Sequence, residues 1–299
     1  MVKTWMGALL EKRLLGELEL GAGEWAIDFS QPPGEPALAG PDSVSWRVFR
    51  SPVALLVGGI AAVIMELAEP RVRSGVWDYS SFRTDPLSRM RRTGYAALVT
   101  VYGPRSAAEK MIAAIGRMHA RIRGTTPGGE PYRADDPQLL AWVHATALHG
   151  FMEAYHRHVR PLSAGERDQF VAEGVPAARL YGVENPPRCE DDLHAMFKAM
   201  LPRLERSEIL FEFLETLARL PLLPGPLRPL AGLVIPAAVD LVPSAIRSAA
   251  GLGPGFPMPP GARSMLAFSG KSIARLPMPS LPPARACARL GLPAGHLLG

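Results

Sequence analysis

His119 and His144 each fall inside an apolar helical stripe. Over residues 104–123, Ala108, Met111, Ile112, Ile115, His119 and Ile122 recur at spacings of three and four. Over residues 137–158, Leu140, His144, Ala147, Leu148, Phe151 and Tyr155 do the same. An imidazole buried without a partner costs about 2–7 kcal/mol, so each ring needs a hydrogen bond or a ligand. A backbone carbonyl would satisfy one such histidine. Two on consecutive helices of one core point equally to a shared site, and imidazole is a common ligand of iron and zinc. Arg89 and Thr93 lie four apart along the edge of a third stripe, Leu87, Met90, Gly94, Ala97, Leu98 and Val101. An arginine there either grips a carboxylate bidentately or snorkels past the core to water. Glu66 interrupts the apolar run Ile64-Met65-Glu66-Leu67-Ala68. It is either a base with a raised pKa or a helix-end carboxylate that reaches water.

The elements that position these residues carry clear start signals. Asp85-Pro86 opens a helix to about Tyr102, Gly103-Pro104 one to Arg123 with Gly124 as its stop, and Asp136-Pro137 one to about His158. A helix over residues 5–19 ends at Gly21 and Gly23, and Ser51-Pro52 starts a buried helix that ends near Pro70. Further helices are predicted at 163–174, 190–202 and 205–219, and no stretch alternates strongly enough for a strand. The fold class is therefore all-α, a single multi-helix domain. An N-terminal helix and loop (residues 1–40) precede the main helical domain (41–248), and a Pro/Gly-rich segment (249–299) reads as an extended tail, wrapped on the domain or partly disordered.

Composition narrows the function. Of 299 residues, 47% are hydrophobic and 20% charged, which suits a folded globular chain. The net charge of +5 is spread along the sequence as scattered arginines, so no nucleic-acid partner is expected. Cys189 and Cys287 have neither metal nor haem-attachment spacing and read as free thiols. The apolar run from Val53 to Met65 falls short of the ~20 residues needed to cross a bilayer. With no signal peptide in residues 1–20, a cytoplasmic protein is expected, with peripheral membrane contact open through the proline-rich end at 219–247.

In order along the chain, several segments resemble the MpaB-type oxygenase family, which includes the bacterial latex-clearing proteins. They are Asp42-Ser43-Val44-Ser45-Trp46, Glu66-Leu67-Ala68-Glu69-Pro70, Trp77-Asp78-Tyr79-Ser80-Ser81-Phe82-Arg83-Thr84-Asp85-Pro86 and Arg89-Met90-Arg91-Arg92-Thr93. The series continues with His119-Ala120-Arg121-Ile122-Arg123-Gly124, Pro131-Tyr132-Arg133-Ala134-Asp135-Asp136-Pro137 and Trp142-Val143-His144-Ala145-Thr146. The resemblance covers roughly residues 40–245. It implies a globin-like core holding a non-covalent haem b, with His119 as the proximal iron ligand. Arg89, Arg92, Thr93 and His144 would line the haem pocket, and Glu66, Arg89 and Thr93 would serve catalysis. Rubber-cleaving members have a lysine where Arg92 stands, and a guanidinium that stays protonated is a poor iron ligand. They also carry a histidine where this chain has Gly124. The expected activity is oxygenation, with O₂, of a hydrophobic substrate, isoprenoid or otherwise alkene-bearing. Two rivals stand beside it. One is a non-catalytic helical protein that carries haem or lipid. The other is a di-iron oxygenase using Glu153-Ala154-Tyr155-His156 and Asp191-Asp192-Leu193-His194.

Overall fold

The computed structural model describes residues 2–223, 225–253, 255–293 and 295–298; Pro224 and Pro254 of the proline-rich runs lie outside them. Helix α1 (Val2–Ala22) continues through Gly21 instead of stopping there. A Cβ on Gly21 would meet the Arg91 carbonyl oxygen at 2.6 Å, so glycine serves close helix packing at this point. Ser43 caps α2 (Val44–Phe49) by accepting from the Trp46 N–H at 3.1 Å. A π-turn over Ala54–Gly58 then leads into α3 (Gly59–Leu67), whose one polar residue is Glu66.

Acid–proline pairs start three of the next four helices. Glu69 caps α4 (Pro70–Tyr79), accepting from the N–H groups of Arg71 and Val72. Glu69-Pro70 is the same local signal as the other two pairs. Asp85 caps α5 (Pro86–Tyr102), α6 (Arg105–His119) follows Pro104, and Asp136 caps α7 (Pro137–His158). Between α6 and α7, β1 (Arg123–Thr125) pairs antiparallel with β2 (Pro131–Arg133), Gly124 opposite Tyr132. This hairpin corrects two expectations, that α6 reaches Arg123 and that the chain has no strand. Gly124 is no helix stop. A Cβ there would lie 2.6 Å from the Tyr132 hydroxyl, so the small residue admits the phenol across the ladder.

The chain continues through α8 (Ala164–Glu173), α9 (Val175–Leu180), α10 (Glu190–Met200), α11 (Glu208–Arg219), α12 (Ala231–Leu241) and α13 (Ser244–Ala249). The Pro/Gly-rich end is no extended tail. It folds into α14 (Ala262–Ala274) and α15 (Pro282–Arg289), both docked on the body. Arg289 is buried and donates to the carbonyls of Phe29, Glu35 and Tyr102 at 2.6–2.8 Å. The result is a single compact all-α domain with one small hairpin. Cys189 and Cys287 are free thiols. No described helix is long and apolar enough to cross a membrane.

Helix α3 lies along α7 at a glycine crossing. A Cβ on Gly58 would sit 2.6 Å from the Gly150 carbonyl oxygen, so the backbones touch. Helix α5 packs along α1 and α6, while its backbone packing against α3 and α7 is sparse. The candidate residues meet in the space this leaves.

Candidate active site

One face of α5 is closed by packing: Tyr95, Leu98, Val99 and Tyr102 are buried there. At about 100° per residue, Arg89, Thr93, Ala97 and Thr100 fall on the opposite face. The expected core stripe is thus rotated. Leu98 and Val101 are buried, Leu87 and Met90 only half-buried, and Gly94 is exposed, because the two tyrosines and α1 claim the other side.

Glu66 and Arg89 share an unusual environment. Protein surrounds both deeply enough to disfavour their charged forms, yet both side chains retain accessible surface. Both are enclosed by neighbouring helices without being tightly packed. The same half-buried state marks Val63 on α3, Ala97 and Thr100 on α5, Ile115 and His119 on α6, and Leu140, Val143, His144 and Ala147 on α7. Four helices thus carry half-buried, mainly apolar stripes, and the sparse packing of α5 against α3 and α7 leaves the space here called the hollow. Tyr181, just past α9, closes one side, its hydroxyl 3.3 Å from the Thr100 Oγ1.

Burial raises the Glu66 carboxyl to about 7, against the opposing pull of the Arg89 charge and a hydrogen bond from the Thr146 hydroxyl at 3.4 Å. Glu66 is enclosed yet keeps accessible surface, so both readings, a base with a raised pKa and a carboxylate that reaches water, stand. The Arg89 guanidinium donates to the Thr93 hydroxyl, which in turn donates to the Arg89 carbonyl at 3.0 Å. His119, the last residue of α6, has its pKa lowered by burial and then by the Arg89 charge, with Asp135 opposing. Arg89 is therefore in electrostatic reach of both Glu66 and His119. Near neutral pH His119 is the uncharged imidazole, with a lone pair free to ligate.

His144 stands at the far edge of the hollow-facing side of α7, about 160° around the helix from Thr146. Burial alone pulls it down to about 4, and no charge of the Glu66–Arg89 group acts on it. Its Nε2 is buried with no partner among the described residues. A Cβ on Gly174 would lie 3.3 Å from that nitrogen, so the α8–α9 junction presses on the ring. Arg92 points elsewhere, exposed, and donates to the hydroxyls of Ser81 at 2.6 Å and Ser88 at 3.2 Å. The structure thus brings Arg89 into electrostatic reach of Glu66 and His119, leaves Thr93 exposed beside Arg89, sets His144 apart from them and leaves Arg92 outside.

Three neighbours of this group carried no expectation. Thr146 is a lone hydroxyl in an apolar stretch of α7 and was legible as such. Tyr181 and Gly174 come from segments remote in sequence and gave no local signal.

The polar line on the next face of α7 does structural work. Glu153 is buried and held by Arg157 at 2.8 Å and Arg167 at 2.6 Å. The His149 Nε2 meets the Leu241 carbonyl at 3.0 Å, and the His156 Nδ1 accepts from the Leu162 N–H at 3.0 Å. Glu153 and His156 are thereby engaged, and His194 is exposed beside Glu190. Among the described residues, no three histidine, cysteine or acidic side chains converge as a metal cage. A metal in the hollow would meet single imidazoles and would need its remaining ligands from a non-protein group.

A family model described as ER-bound oxygenase mpaB/B'/Rubber oxygenase, catalytic domain, matches residues 46–275. No curated protein sequence and no solved structure matches the chain.

Proposed function

The chain belongs to the mpaB/rubber oxygenase catalytic-domain family, and on that premise we propose that it is a haem b-dependent oxygenase acting on a hydrophobic, alkene-bearing substrate, with His119 as the residue that would hold the iron. The observation that carries this reading is the enclosed group of Glu66, Arg89 and His119 facing a mainly apolar hollow. The residues present fit a haem. A porphyrin brings four nitrogen ligands of its own, so one neutral imidazole suffices where no protein cage exists. The unpartnered Nε2 of His144 supports a polar ligand on the other rim. Arg89, enclosed and linked to Thr93, supplies a cation for a haem carboxylate or for the charge of Glu66.

When bound, the haem would supply the redox chemistry with O₂ that no side chain provides. The chain's own residues do the rest. Val63, Ala97, Ile115, Val143 and Ala147 offer an apolar wall to an alkene and exclude water. Glu66, with its pKa near 7, can take an allylic proton from substrate at its carboxylate and return it, with the Thr146 hydroxyl 3.4 Å away. Arg89 sets how readily Glu66 ionises.

The test is an absorption spectrum of the purified protein supplied with haem, beside His119→Ala and His144→Ala. We expect a Soret band that His119→Ala abolishes or shifts strongly and that His144→Ala keeps. No band in the wild type, or an unchanged spectrum in His119→Ala, would overturn the assignment. Oxygen uptake with a panel of unsaturated lipids then separates an oxygenase from a haem carrier.

A further inference from the structure

The outer side of α6 carries a second surface. A cleft of about 400 Å³ is lined by Tyr79, Ala114, Arg117, Met118, Arg121 and Ile122. It faces away from His119: at about 100° per residue, Ala114 and Arg117 point between 140° and 160° around the helix from that histidine, and Arg121 follows in the turn after α6. Tyr79 is 53% exposed and Met118 52%, two of the few large apolar side chains left in the open. Lys110, one to two turns earlier on the same face, adds a third cation to Arg117 and Arg121. None of the three has a carboxylate within ion-pair distance among the described residues. Other exposed arginines are neutralised, as Arg133 by Asp135 at 2.8 Å and Arg263 by Asp240 at 2.7 Å.

Three unpaired cations beside the exposed Met118 and the Tyr79 ring make a basic patch with an apolar centre, which is complementary to an anionic interface. The cations meet lipid phosphates while Met118 and the Tyr79 ring enter the headgroup region. A purely acidic protein partner would use the charges but gain little from the apolar pair. We propose that this face of α6 docks the protein on a bilayer rich in anionic lipid. It is separate from the proline-rich end at 219–247, and it rests neither on a cofactor nor on the reaction.

The experiment is co-sedimentation of the full chain with vesicles of equimolar phosphatidylglycerol and phosphatidylcholine, against vesicles of phosphatidylcholine alone. Binding is expected only to the anionic vesicles, and it should fall steeply with added salt. The double variant Arg117→Gln/Arg121→Gln should bind about thirtyfold more weakly, roughly fivefold for each cation lost. Met118→Ser should weaken vesicle binding several-fold and leave the melting midpoint unchanged. If the double variant melts early, the salt titration of the wild type together with Met118→Ser decides. Failure to bind anionic vesicles, or equal binding by Met118→Ser and wild type, overturns the proposal. Polyglutamate that binds as tightly as vesicles, with Met118→Ser indifferent, would assign the face to an acidic protein instead.

Discussion

At the scale of single residues, the hollow leaves a titration signature of two opposed slopes. Glu66 is raised from its ordinary 4.5 to about 7, so the fold favours its neutral form. Its contribution, roughly 3 kcal/mol, is complete below pH 4.5 and is lost as pH rises through about 7. His144 is lowered from 6.5 to about 4, and its neutral form is favoured too. Its contribution is of similar size, present above pH 6.5 and lost as pH falls through about 4. Between pH 4.5 and 6.5 the two slopes oppose each other. Glu66→Gln should therefore make stability rise more steeply with pH across that window, and His144→Leu should make it fall. Urea midpoints from pH 4 to pH 7.5 for the three proteins measure this. Parallel curves would mean that neither group is enclosed as described. Glu69, three residues on and fully buried, shows why burial alone is no guide to chemistry: its carboxylate caps α4 and pairs with Arg71 at 2.7 Å.

At the scale of elements, two glycines in helices have opposite reasons to be small. Gly58 crosses α7 at Gly150 with no room for a Cβ, whereas Gly94 on α5 has nothing within 4 Å of one. Gly58→Ala should cost about 1–3 kcal/mol through overpacking. Gly94→Ala should gain about 0.5–1 kcal/mol of helix propensity in the protein without haem. Thermal melts of both variants check the pair, and a destabilising Gly94→Ala would place unseen packing against α5. The helix starts were legible because caps are local: Asp85 and Asp136 precede prolines, and Ser163 with Glu166 forms a capping box. The end of α6 was not. Its termination is set by Tyr132 pairing across Gly124, a contact between strands that no local window contains.

At the scale of the whole molecule, the proline-rich C-terminal segment is part of the core's closure. Gly270 on α14 packs against the His158 carbonyl, and Arg289 on α15 satisfies three carbonyls from two distant segments. Arg289→Met leaves those oxygens unpaired and should cost about 3 kcal/mol or more. A melting midpoint within error of wild type would show that water replaces the guanidinium without loss. The family match ends at residue 275, so α15 lies beyond it while still binding the domain together.

The sequence by itself determined the all-α class, most helix starts, and the histidines, arginine and glutamate that face inward, because caps and 3.6-residue periodicity are properties of neighbouring residues. It left open whether Glu66 was enclosed and which histidine shared an electrostatic environment with Arg89, and the resemblance placed Arg92 in the pocket, where the structure does not put it. Those answers depend on how helices remote in sequence sit against each other. Only the tertiary structure brings Thr146 to Glu66 and Gly174 to His144, and only it turns Arg92 out toward Ser81. The physical reason is that desolvation and Coulomb forces act through space, while the sequence records only order along the chain.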